Sequence, residues 1–249
     1  MLPTFELTKV LFLDIETVSN FKEYGELDED WKSLWATKAN ALARGRQEPL
    51  EEKAVADKYT DRGAIYSEFG RIVCISVGIL LRDWETKEMR VRLTSFYGED
   101  EKKILEDFAN LLAQYYPDPA QFYLCGHNIK EFDIPYICRR MVIHALELPG
   151  MLQLAGKKPW ETKYILDTMD LWRFGDFKNY TSLKLLTKLF KIPSPKDDID
   201  GSDVGRVFWE EKDVERIARY CEKDVLAIVQ LMLRFQRMPL IENLNVVHV

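Results

Sequence analysis

The stretch VLFLDIE, from Val10 to Glu16, sets four apolar residues directly before two carboxylates. A short strand that is apolar at every position has no solvent-facing side, so it belongs in the middle of a sheet covered on both faces. Side chains two apart in a strand share a face. Asp14 and Glu16 therefore project together from the carboxyl end of this strand, where α/β sheets bind their ligands. Like charges held side by side repel, the more so when partly buried, and no lysine or arginine stands near them in the sequence. A divalent cation is the natural counter-charge, because hard cations take carboxylate oxygens. D-x-E alone is a cheap pattern. Asp83-Trp84-Glu85 and Asp213-Val214-Glu215 repeat it, the second at a helix start where acids are expected. The apolar run before Asp14 sets that pair apart.

The rest of the chain reads as strands and helices in alternation. RIVCISVGILL from Arg71 and MRVRLTSFYG from Met89 are strands joined by a hairpin connection, RDWETKE. EDEKKILEDFANLLAQYY is an amphipathic helix, with Ile104, Leu105, Phe108, Leu111 and Leu112 at helical spacing. QFYLCGHN is a fourth strand and KYILDTMDLW a fifth. EFDIPYICRRMVIHAL is a helix with Pro135 in its first turn. TSLKLLTKLFKI is a helix that Thr181 or Ser182 caps. PSPKDDIDGSDVG is a loop, and DVERIARYCEKDVLAIVQLMLRFQ a long helix. The expected architecture is α/β, a central mixed five-stranded sheet flanked by helices. The chain is expected to form one domain over residues 1–249. The charged stretch at about 21–70 is an insertion, partly helical, with a break near Gly45 to Pro49.

Two further constellations stand out. His127-Asn128-Ile129-Lys130-Glu131-Phe132-Asp133 follows the fourth strand, although Asp133 taken singly reads equally as a helix cap. On the last helix Val214, Ile217, Ala218, Cys221, Val225, Ile228 and Met232 form the core stripe, and Tyr220 and Asp224 stack one turn apart on its flank. An acid facing a sheet edge there is costly without a partner. Y-x-x-x-D recurs at Tyr24 to Asp28, so again context carries the signal.

In chain order, D-x-E, N-x-x-x-F-D and Y-x-x-x-D resemble the DEDD superfamily of 3′–5′ exonucleases in its tyrosine-bearing branch. The closest likeness is to the proofreading exonuclease domain of family B DNA polymerases, here as a stand-alone version. YSEFGRIVCISVG and DGSDVG share the likeness; the long charged insertion departs from it. The resemblance implies an RNase H-like (DnaQ-like) fold. It implies that Asp14, Glu16, Asp133 and Asp224 hold two divalent cations, Mg²⁺ or Mn²⁺, about 3.5–4 Å apart around the scissile phosphate. It implies that Tyr220 orients the attacking water, a phenol with a pKa of about 10 being a poor base at neutral pH. Asn128, Phe132 and Thr17 would shape the groove for the terminal nucleotides. Phe132 reads equally as a packing residue and Asn128 as a partner for local backbone, and His127 reads as structural.

The implied activity is 3′-end hydrolysis of single-stranded nucleic acid, DNA favoured over RNA, releasing nucleoside 5′-monophosphates. A DNA polymerase or repair complex is the partner this brings into view. An RNase D-like RNA exonuclease, an RNase H-like endonuclease and a non-catalytic nucleic-acid-binding module on the same fold stay open. The net charge of -6 argues against a generic polyanion binder acting through an overall positive field. Local basic character comes instead from Arg139-Arg140, Lys157-Lys158, Lys163, Arg173, Lys178, Lys184 and Lys188, with Trp160 and Trp172 interspersed. PKDDIDGSD is not an EF-hand, since that register starts on Lys196 and ends on Val207. Asp167 and Asp170 read as a solvated strand end before they read as supports for the site. The four cysteines have no metal or disulfide spacing, and no segment reads as a signal peptide or membrane span. A cytoplasmic protein with no membrane partner is the expectation.

Overall fold

The computed structural model describes residues 5–43, 48–83, 85–178, 180–193, 199–242 and 245–248. The connection at 44–47 and the loop residues 194–198, both within stretches read from the sequence as a break and a loop, lie outside them, as does Trp84.

β1 (Val10–Ser19) is central, as its apolar run requires. Val10, Leu11, Phe12 and Leu13 are all buried, because both faces of the strand are covered. The insertion folds as α1 (Glu29–Leu42) and α2 (Glu52–Arg62) around a small core of its own, in which Trp35 and Tyr59 are fully buried and Phe69 nearly so. β2 (Gly70–Arg82) and β3 (Met89–Tyr97) form the expected hairpin, antiparallel to each other and with β2 antiparallel to β1. α3 (Glu101–Tyr115) follows, then β4 (Tyr123–Gly126), α4 (Asp133–Ile143) and β5 (Ile165–Asp167). β4 and β5 extend the sheet beside β1 in parallel. α5 (Thr168–Arg173) and α6 (Leu183–Leu189) lead to α7 (Val204–Arg206), which runs on as a π-helical turn, Val207–Glu211. α8 (Val214–Phe235) and β6 (Val246–His248) complete the chain.

The result is a mixed α/β sheet in the order β5-β4-β1-β2-β3-β6, flanked by helices. This is the expected class, with six strands among the described residues in place of five. β6 pairs with β3 over three residues, too short for any periodicity to announce. The segment expected as one long fifth strand divides after Asp167, whose carboxylate accepts from the Met169 amide at 2.9 Å and starts α5. The end of the acidic loop is helical from Val204.

One face of β1 carries Leu11, Leu13 and Ile15 against α3 and α4; the other carries Val10 and Phe12 against α8. Gly78 lets α8 come close. A Cβ there would meet Val225 Cγ1 at 2.8 Å and Leu93 Cδ2 at 2.9 Å. The α3 and α4 side is tied by a buried ion pair, in which Arg140 donates to Glu101 at 2.9 and 2.5 Å and to the Ser67 carbonyl at 2.9 Å. Arg140, read from the sequence as part of a basic patch, is thus committed inside the protein. An unpaired guanidinium there would cost several kcal/mol.

Candidate active site

Asp14 and Glu16 leave β1 on the α8 face, beyond the last apolar positions of that face, Val10 and Phe12. The register with β2 shifts just after them: Glu16 pairs with Cys74 and Thr17 with Ile72, leaving Val73 unmatched. Such a bulge bends the strand and re-aims neighbouring side chains. α8 is capped by Asp213, which accepts from the Arg216 amide at 3.0 Å. Its core stripe buries Ile217, Cys221 and Val225. The Cys221 thiol lies 3.4 Å from the Asp14 carbonyl oxygen and 3.5 Å from its carboxylate. That contact seats the helix on β1 and brings its flank, with Tyr220 and Asp224, over the carboxylates.

Asp133 arrives from the opposite side as the first residue of α4. It is buried, and its carboxylate accepts from the Ile15 amide at 3.2 Å, between Asp14 and Glu16. The loop that delivers it is held by Asp167, which accepts from the amides of Asn128 at 3.0 Å and Lys130 at 3.2 Å. Asp167 is only 2% exposed. It is therefore a buried positioning residue, not the solvated strand end its sequence suggested. Asp170 does meet solvent, paired with Lys130 and Arg173.

Asn128 turns the chain with a φ of 62°, a left-handed conformation that asparagine tolerates better than most residues. Its side-chain oxygen is buried without a hydrogen-bond partner among the described residues. Phe132 packs partly buried, its ring 5.5 Å from that of Tyr136. The Thr17 hydroxyl donates to the Ala64 carbonyl at 2.9 Å. His127 is structural: its Nε2 donates to the Thr181 carbonyl at 2.8 Å, and its Nδ1 faces the Thr168 hydroxyl at 2.9 Å.

The electrostatics of the cluster are one-sided. Burial holds the Asp14 carboxyl well above the usual carboxylate range, and the charges of Asp133, Asp224 and Glu16 push it further the same way. Glu16 is raised by burial, then by Asp224 and Asp133. Burial pushes Asp133 up to about 7, against the lowering effect of backbone amides, and Asp167 adds to the rise. Burial also raises the Tyr220 phenol, followed by the charge of Asp224, to which its hydroxyl is hydrogen-bonded. Among the described residues no lysine or arginine pairs with Asp14, Glu16 or Asp133.

The described residues present ligand atoms of Asp14, Glu16 and Cys221 within 4.8 Å of one another. The carboxylate oxygens suit a hard cation. Burial holds Cys221 in its thiol form, a donor to Asp14 and not a competing thiolate. The donor set and its missing counter-charge therefore fit divalent metal.

A family profile described as a predicted 3′–5′ exonuclease related to the exonuclease domain of PolB matches residues 65–243. The chain belongs to this family. The likeness drawn from the three short motifs holds at that level, and the mixed sheet with flanking helices is consistent with the RNase H-like fold of such exonucleases. None of the curated proteins compared with the chain matches it significantly. The matched span of this exonuclease family contains Asp133, Tyr220 and Asp224. It begins after β1, so Asp14 and Glu16 lie outside it. Their place in the site rests on β1 lying between β4 and β2 of the matched sheet.

The carboxylate shifts set a pH dependence. A group whose folded pKa is raised contributes stability that is complete below its unfolded pKa and lost as pH rises through the folded value. For Asp133 that window runs from 3.8 to about 7. Added Mn²⁺ competes with protons for the same oxygens. The rise in melting temperature on adding Mn²⁺ should therefore be larger at about pH 8 than at about pH 5.5. A shift equal at both, or larger in acid, would contradict the cluster's charge state.

Among the described residues, no helix is long and apolar enough to cross a membrane.

Proposed function

We propose that the protein is a metal-dependent 3′–5′ exonuclease of the tyrosine-bearing DEDD type. It would shorten single-stranded DNA from the 3′ end and release nucleoside 5′-monophosphates. One observation carries this reading: Asp14 and Glu16 stand together on β1, Asp133 at the start of α4 reaches the amide between them, and α8 lies against Asp14 through Cys221, the helix that carries Tyr220 and Asp224. Asp14, Glu16, Asp133 and Asp224 would hold two divalent cations, Mg²⁺ or Mn²⁺. Such a pair, when bound, supplies Lewis acidity at the scissile phosphate and offsets charge on the leaving oxygen.

The chain's own part is positioning. Asp133 bridges to the Ile15 amide and so fixes the distance between α4 and β1. Tyr220 keeps its proton and donates it to Asp224. Its oxygen lone pairs then remain to accept from the attacking water and aim it. Asn128, Phe132 and Thr17 would border the terminal nucleotides, and the unpartnered Asn128 oxygen supports that for the first of them. Cys221 and Asp167 hold the acids in place without touching substrate.

The test is digestion of 3′- and 5′-labelled oligonucleotides, DNA and RNA in parallel, with Mn²⁺ or EDTA. The 3′ label should leave at once as mononucleotide and the 5′ label should yield a shrinking ladder, faster on DNA, with nothing in EDTA. Cutting of a circular single strand would make the protein an endonuclease instead. Binding that needs no metal and releases nothing would leave only a binding module.

A further inference from the structure

The loop after α5 reads RFGDFKNYTS from Arg173 and carries an aromatic residue at every third position, Phe174, Phe177 and Tyr180. All three are exposed, at 75, 73 and 66%. Large apolar side chains gathered on one exposed segment mark a binding surface more often than an accident of packing. Phe174 also sits at a φ of 48°, a left-handed conformation that costs a bulky residue energy which its exposed ring does not recover by packing.

The loop is tied at both ends to the segment that delivers Asp133. At one end Arg173, only 9% exposed along its side chain, pairs with Asp170 and with Glu131, two residues before Asp133. The same guanidinium lies 5.7 Å from the Phe177 ring. At the other end the Tyr180 ring stands 6.4 Å from that of His127, and the next residue, Thr181, accepts from His127 at 2.8 Å. From Arg173 to Lys191 the chain carries five basic residues and one acidic one, in a protein of net charge -6.

We propose that Phe174, Phe177 and Tyr180 form a stacking platform for the bases of a single-stranded nucleic acid whose 3′ end lies among the four acids. Aromatic faces take any base, and nearby cations such as Lys178 and Lys184 meet the backbone, the combination that holds single strands without reading their sequence. This rests on the exonuclease reading and adds to it a place for the nucleotides upstream of the one removed. Of the two tryptophans interspersed among the basic residues, Trp172 packs against Phe190, as a core tryptophan does.

The test uses the full chain with Phe174→Ala and Phe177→Ala combined, both exposed, so that folding is spared; a matching melting temperature checks this. Affinity for a labelled oligothymidylate is read by fluorescence anisotropy in EDTA. Steady-state constants are read in Mn²⁺ on strands of increasing length. Affinity should fall and KM rise by about ten- to a hundredfold, kcat changing far less. KM should also stop improving with strand length, and Phe174→Trp with Phe177→Trp should restore that dependence. Wild-type affinity and wild-type length dependence in the alanine variant, alongside intact digestion, would overturn the platform and leave the exonuclease reading standing. Affinity lost in EDTA from a protein that digests nothing would sustain the platform and sink the exonuclease reading.

Discussion

Asp14→Asn should lower the single-turnover rate of 3′-end hydrolysis by roughly 10³-fold or more and, in EDTA, raise the melting temperature. The two effects share one cause. Burial and three neighbouring acids oppose the charged form of Asp14, so folding without metal costs either that charge or the proton that cancels it. Asparagine keeps the shape and removes that charge, so the metal-free protein loses a repulsion. The same change takes a charged oxygen from the metal site, where Lewis-acid stabilisation amounts to several kcal/mol, and each 1.36 kcal/mol is about tenfold in rate. A residue retained for stability would behave in the opposite way. Wild-type rates, or a melting temperature that falls in EDTA, would remove Asp14 from the site.

Tyr220→Phe should slow the chemical step by about 10²- to 10⁴-fold, the range that positioned acid–base or orienting groups contribute. The rise in melting temperature caused by Mn²⁺ should survive, because the ring supplies no ligand in this reading. The phenol is raised by burial and by Asp224, Glu16 and Asp14, so it is a proton donor to Asp224 at neutral pH and not a base. Full activity in single-turnover assays would end the orienting role. Loss of the Mn²⁺ effect would show that the hydroxyl serves the metal site through Asp224.

These two variants also separate the acids from the tyrosine in a way that a digestion assay on wild type does not. Asp14 is expected to move both rate and metal-free stability, Tyr220 the rate alone. Asp167 and Cys221 act through others, Asp167 by fixing the amides of Asn128 and Lys130 and Cys221 by seating α8 against Asp14. From the sequence Asp167 reads first as a solvated strand end and only second as a support of the site, and Cys221 reads as part of the core stripe. An aspartate placed to cap the helix that starts at the next residue was a signal for the first, and a cysteine beside Tyr220 on the core stripe was a signal for the second.

Much of the chemistry was legible locally. The alternation of a strand puts Asp14 beside Glu16 whatever the rest of the chain does. The pitch of a helix likewise stacks Tyr220 near Asp224. The apolar run before Asp14 required a central strand, and β1 is central. Where the reading failed, it failed on burial and partnership. Arg140 looked like part of a solvated basic patch and is locked to Glu101; Asp167 looked solvated and is not. The sixth strand escaped because three residues carry no period.

By itself, then, the amino-acid order determined which side chains share a face and which segments must be covered, since both follow from the repeat of a single element. Only the tertiary structure decided that β1, α4 and α8 meet at one point, and which charged groups are buried there. Contact between segments more than a hundred residues apart is set by packing across the whole sheet, and no local pattern contains it.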